Sequence, residues 1–218
     1  MKKFIPAFLL LSLLVSCQPV NLDARIPVYD TGVDPSAWAT IPAGEFLKGQ
    51  FEEETNISYD YQMMVTDVTN GQYAAFLNEV ITAGKATIQE NQVVGDYPGD
   101  VFNGFRHEEE ISAGKYLYIN FEDPALRLNY QNGAFTVKPG YENHPMTMVS
   151  WFGAKAFCDF YGWRLPTEVE WEKAARGTDG RAFPWGDKIS RNIANFISSR
   201  DPFEDMRTFG SNTTPVGF

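Results

Sequence analysis

The sequence predicts a loop-rich globular domain that mixes short strands with a few helices and is held by large aromatic anchors, rather than a helix bundle. Three observations carry that expectation. Aromatic residues make up 15% of the 218-residue chain, with 17 Phe, 10 Tyr and 5 Trp. Glycine (18) and proline (13) recur along it, and both residue types bend or end regular elements. About 200 residues remain after an N-terminal leader, enough for one sizeable core. The net charge of -10 lacks the basic stripe that a nucleic-acid surface requires. It suits a soluble surface and the binding of divalent cations.

The leader comes first. Lys2 and Lys3 open the chain and an apolar run follows from Phe4 to Val15, broken by Pro6 and Ser12. The run is shorter than the ~20 apolar residues that span a bilayer. Leu14-Val15-Ser16-Cys17 resembles a lipobox, so residues 1–16 are expected to be a signal peptide and Cys17 the lipidated residue. Its thiol would accept diacylglycerol and its freed amine a further acyl chain, which together anchor firmly to a membrane. Gln18 rather than Asp follows Cys17, which favours the outer membrane or cell surface over the inner membrane. Residues 17–36, polar with scattered Pro and Gly, read as a tether. Lipidation of Cys17 leaves Cys158 without a partner in this chain. It is expected to pack as a small hydrophobe on a helix face; the sharper alternative is a disulfide to a residue outside the chain.

From residue 37 the character is that of a folded domain. Ile41 to Gly49 reads as a strand carrying a turn. Thr69 or Asn70 can cap a helix running to about Ala83, with Tyr73, Phe76, Leu77, Val80 and Ile81 on one face and Gly84 ending it. Residues 85–142 are the least readable part. Glycines punctuate strand-like pieces such as Tyr116–Ile119 and Ala134–Val137. His107 with Glu108, Glu109 and Glu110 lacks the second His of a zinc helix and reads as a solvated loop. Ser150 is an N-cap candidate for a helix through Tyr161, closed by Gly162, with Ala154, Phe157, Cys158 and Tyr161 on one side. Thr167-Glu168-Val169-Glu170 forms a capping box for a helix to about Arg176, ended by Gly177. Phe183 to Asp187 forms an aromatic turn. Arg164, Glu168, Glu170 and Arg176 are best explained by capping and ion pairing, and no catalytic residue is assigned.

His144-Pro145, Val149-Ser150-Trp151, Arg164-Leu165-Pro166-Thr167-Glu168, Glu170-Trp171, Ala174-Ala175-Arg176-Gly177 and Pro184-Trp185-Gly186-Asp187 follow one another with an order and spacing that resemble the formylglycine-generating enzyme family, the sulfatase-modifying factors. Ile41 to Phe46 resembles the family's opening strand. Val68-Thr69-Asn70 with Tyr73 and Phe76 resembles its first helix, and Thr213 to Gly217 a later segment. Residues 85–142 then look like a lineage-specific insertion, and the layout is most similar to the gliding-motility-type lipoproteins. The resemblance implies one α+β domain over residues 37–218, of the formylglycine-generating-enzyme kind and distantly like C-type lectins, with much irregular structure. It also implies a calcium site. The Asn195 side chain and Phe196 carbonyl match the first two ligand positions. Asp201 and Phe203 are the candidates for the other two, with Asp205 competing for the place of Asp201. Hard oxygens of this kind suit calcium.

What the resemblance implies about activity is limited by the residues present. The family's enzymes oxidise a sulfatase cysteine to formylglycine with copper and dioxygen. Their two copper-binding cysteines lie downstream of the Pro-Val segment, which here is Pro215-Val216 near the final Phe218. A soft Cu(I) ion needs a thiolate pair, so copper is expected only if a C-terminal half supplies cysteines. The chain is accordingly expected to be the N-terminal part of a longer protein or a truncated product, leaving Trp151, Trp171, Phe183 and Trp185 without cover. The functional expectation is an exported, lipid-anchored protein with a noncatalytic binding or structural role towards a protein or glycan at the cell surface. The alternative is the N-terminal part of a formylglycine-generating enzyme or a related metal-dependent oxygenase.

Overall fold

A computed structural model describes residues 26–100, 109–196, 199, 201–203 and 213–218. Two antiparallel pairs open the domain. Strand β1 (Trp38–Ile41) pairs with β4 (Tyr61–Met64), and β2 (Gly44–Lys48) pairs with β3 (Glu53–Ile57). Helix α1 (Asn70–Thr82) follows, then a three-stranded antiparallel sheet of β5 (Ala86–Gln89), β6 (Gln92–Tyr97) and β7 (Gly114–Asn120). A hairpin of β8 (Leu128–Gln131) and β9 (Ala134–Val137) precedes helices α2 (Trp151–Phe160) and α3 (Glu168–Arg176). The α+β expectation holds, with small sheets and three helices among the described residues.

Each helix starts where its capping residue dictates. Thr69 accepts from the Gln72 amide and the Gln72 side chain returns to the Thr69 N–H, a full capping box. Ser150 caps α2 through the Gly153 amide. Gly84 and Gly162, just past α1 and α2, adopt positive φ, as helix exits favour. The β8–β9 turn is Asn132-Gly133, both at positive φ, the backbone that two-residue hairpin turns require.

The core forms where α1 meets the middle sheet. Tyr73, Phe76, Leu77 and Val80 pack with Val93, Tyr118, Ile119, Leu126, Leu128, Phe135 and Phe157. Six of these lie within residues 85–142, so the segment that is hardest to read supplies much of the core. Burial of such side chains contributes about 1.5–3 kcal/mol each. Helix α2 crosses β7 at Gly153, where a Cβ would lie 2.6 Å from Tyr73 Oη and 2.9 Å from the Tyr118 backbone. Gly153 and Phe157 form the buried face of α2, while Tyr161 is exposed.

The end of the segment assigned to the tether is docked on the domain. Ile26 packs against Tyr141, Thr31 Oγ1 donates to the Val216 carbonyl, and Gln72 Nε2 reaches the Pro35 carbonyl. Among the described residues no helix is long and apolar enough to cross a membrane. Glu109 and Glu110 are exposed, while His107 and Glu108 lie outside the described residues.

Candidate functional site

The charged motif at α3 forms a dense, closed arrangement. Thr167 Oγ1 accepts from the Glu170 amide at 3.2 Å, and Glu170 Oε2 accepts from the Thr167 N–H at 2.8 Å. Arg164 donates to both carboxylate oxygens, with Nη1 to Oε2 at 2.7 Å. Tyr59 Oη adds a third side-chain donor at 2.9 Å, and Tyr61 Oη donates to the Glu170 carbonyl at 2.6 Å. The Arg164 hydrogen bonds, helped by the Thr167 amide and Tyr59 and opposed by burial, hold the Glu170 carboxyl down at about 2. The hydrogen bond to that carboxylate, helped by burial and by its charge, in turn pushes the Tyr59 phenol up. A carboxylate so held is a weak base, far from the pKa that general acid–base work needs.

Lys173 and Arg176 of the motif are equally engaged. Lys173 is buried and donates to the Pro42 and Gly44 carbonyls at 2.7 and 2.8 Å. Arg176 donates to the carbonyls of Arg181, Gly49 and Gly180 and pairs with Glu172, whose carboxylate also accepts from the Gly49 amide. Among the described residues the exposed Glu168 carboxylate pairs with partly buried Lys48 at 3.6 Å, a contact of small worth. The motif therefore clamps α3 to the β2 hairpin, as capping and ion pairing predict.

The proposed calcium ligands sit on the loop after the aromatic turn. Ser199 links its two halves: its N–H donates to the Phe196 carbonyl at 2.8 Å and its hydroxyl to Asp201 Oδ2. Asp201 Oδ1 accepts from the Phe203 amide at 2.8 Å. Phe196 and Asp201 thus reach one common residue, and each accepting oxygen keeps a second lone pair. Asn195 is exposed and Phe203 is buried against His144 and Phe218. The donor types suit calcium, with one carboxylate in the set. Among the described residues no group of three or more His, Cys, Asp or Glu is placed to hold a metal. Asp205 and Cys17 lie outside the described residues. Cys158 is a free thiol packed against the core, and burial raises its pKa.

Several tryptophans face solvent: Trp171 is 61% exposed, Trp151 49% and Trp185 43%. Trp185 stacks on half-buried Phe183 at 5.4 Å. Sequence reasoning missed a buried polar cluster behind the His144-Pro145 motif. Asn70 Nδ2 donates to the Tyr141 and His144 carbonyls, and His144 Nδ1 meets Thr213 Oγ1 at 2.9 Å. Burial pushes the His144 imidazole down to about 4, so it is neutral at pH 7. The clue in the sequence was slight: Arg127 between Leu126 and Leu128 looks like an exposed charge.

The sulfatase-modifying factor enzyme 1-like domain matches residues 30–218. The chain belongs to this family. Among its relatives, the formylglycine-generating enzyme of Mus musculus is 42% identical over 227 residues, covering 92% of this chain and 58% of the enzyme. That of Streptomyces coelicolor is 34% identical over 200 residues, covering 81% of this chain and 60% of the enzyme. The inactive C-alpha-formylglycine-generating enzyme 2 of Bos taurus is 47% identical over 67 residues, covering 30% of this chain and 22% of that protein. The chain thus spans less than two thirds of the length of these relatives.

Proposed function

We propose that this sulfatase-modifying-factor domain acts as a lipid-anchored scaffold at the cell surface, and that residues 1–218 do not carry out cysteine oxidation themselves. The observation that carries this reading is the full engagement of Glu170, Lys173 and Arg176 in hydrogen bonds that hold the fold. Cys17 and Cys158 are the only thiols of the sequence, and Cys158 is packed against the core. In this reading Cys17 carries the lipid, the exposed tryptophans meet a protein or glycan partner, and Asn195, Phe196, Asp201 and Phe203 hold calcium as a structural ion.

The identity to formylglycine-generating enzymes favours a second reading, in which the whole protein oxidises a cysteine of a sulfatase with residues beyond those given. One experiment separates the two. The purified chain is incubated with copper, dioxygen and a cysteine-containing sulfatase peptide, and aldehyde is captured with a hydrazide probe. The scaffold reading predicts no aldehyde above a no-protein control; aldehyde formation would overturn it. Labelling with a fatty-acid analogue in the source cell tests the anchor, with label expected on the wild type and lost in Cys17→Ala.

A further inference from the structure

Arg127 is 2% exposed, and among the described residues none of its three guanidinium nitrogens has a hydrogen-bond partner. Among the described residues it stacks on the face of Tyr141, 4.6 Å from the guanidinium carbon. Two more buried groups stand in the same cluster without partners among the described residues. Tyr141 Oη has none, and neither has Nε2 of His144, whose ring lies 5.0 Å from that of Tyr141. Asn70 Oδ1 is also unpaired; it is an acceptor and contributes nothing to an anion.

Burying a cation without a counter-charge costs several kcal/mol, whereas stacking on an aromatic face returns only about 0.5–2 kcal/mol. The deficit calls for a negative partner that the described residues do not supply. The chemistry of that partner follows from the donors. A guanidinium offers parallel N–H groups that match the two oxygens of a planar carboxylate. Tyr141 O–H and a neutral His144 with its proton on Nε2 add single donors beside it. A tetrahedral phosphate needs more space and charge than one buried arginine answers.

We propose that Arg127, with Tyr141 and His144, forms a buried binding site for a single carboxylate. The carboxylate comes either from a free small acid or from an acidic side chain of a polypeptide; the binding chemistry is the same.

The test follows the Arg127 side chain by NMR in the full chain labelled at arginine, with acetate titrated at constant ionic strength. A free-acid site predicts a saturable shift of one protected arginine Nε–H resonance and a rise in Tm with acetate, both absent in Arg127→Met. A site filled by a polypeptide predicts an Nε–H already shifted without acetate, with a through-hydrogen-bond correlation to an Asp or Glu carboxyl carbon. If Arg127→Met does not fold, the wild-type spectra still decide. No response to acetate together with no carboxyl correlation would overturn the proposal and leave Arg127 as a cation stacked on Tyr141.

Discussion

The Arg164 guanidinium grips both oxygens of the Glu170 carboxylate, and the same carboxylate closes the capping box of α3 through the Thr167 N–H. One side chain therefore fixes where α3 starts, ties it to the preceding Trp163-Arg164-Leu165-Pro166 segment and, through Tyr59 and Tyr61, to the chain around β4. The acidic residue that best resembles a catalytic base is the one most completely committed to the fold.

Acid stability reports that commitment. Glu170 is held at about 2 against an ordinary 4.5. A depressed carboxyl pKa means that the unfolded chain takes up its proton first, so this contribution is present above about pH 4.5 and is lost as pH falls towards about 2. Glu170→Gln is expected to lower stability on the order of 2 kcal/mol near neutral pH, discounted because Arg164 is largely exposed. Urea unfolding across that pH window should show the wild type and variant converging in acid. Parallel curves would show that the carboxyl titrates normally.

Lys173 holds the β2 hairpin by its two carbonyl bonds. Lys173→Met keeps the length of the stem but leaves the Pro42 and Gly44 carbonyls without that donor. A loss of about 2–3 kcal/mol is expected from two unsatisfied acceptors. Chemical denaturation measures it. A change below about 0.5 kcal/mol, the range of ordinary surface substitutions, would contradict the assignment.

Gly153→Ala tests the crossing of α2 over β7. The new methyl would meet Tyr73 Oη and the Tyr118 backbone, and the backbone cannot rotate away. Overpacking of this kind costs typically about 1–3 kcal/mol, more than any gain in helix propensity. A thermal melt showing equal or higher Tm would mean that α2 sits farther from the sheet.

Calcium binding predicts that added calcium raises the Tm of the wild type and that EDTA reverses the rise, with Asp201→Ala indifferent to both. Ligand-linked stabilisation reaches about 2.7 kcal/mol at a hundredfold excess over Kd. Identical melts in calcium and EDTA would leave Asp201 as a turn-forming residue bonded to Ser199 and Phe203.

The sequence made the helices legible because capping is local chemistry: Thr69, Ser150 and Thr167 mark their starts within a residue. The Arg164 to Arg176 motif was legible as structure for the same reason, since its partners are dictated by the helix ends. Residues 85–142 resisted because short, glycine-broken strands carry little periodic signal. Asn132-Gly133, a strong hairpin marker, stands out only once β8 and β9 are paired. The buried cluster of Arg127, Tyr141 and His144 was not legible at all. Arg127 stands fourteen residues before Tyr141 with the β8–β9 hairpin between them, and a lone arginine between two leucines gives no sign of burial until tertiary packing encloses it.

The central claim is that the motif's charges hold the fold, and a double-mutant cycle between Arg164 and Glu170 tests it most directly. Arg164→Met, Glu170→Gln and the double variant are compared with the wild type by urea unfolding at neutral pH. A structural clamp predicts a coupling energy of about 1–3 kcal/mol, within the range of contacting pairs. A coupling within about 0.3 kcal/mol, as for independent sites, would contradict it and return the motif to consideration as a chemical site.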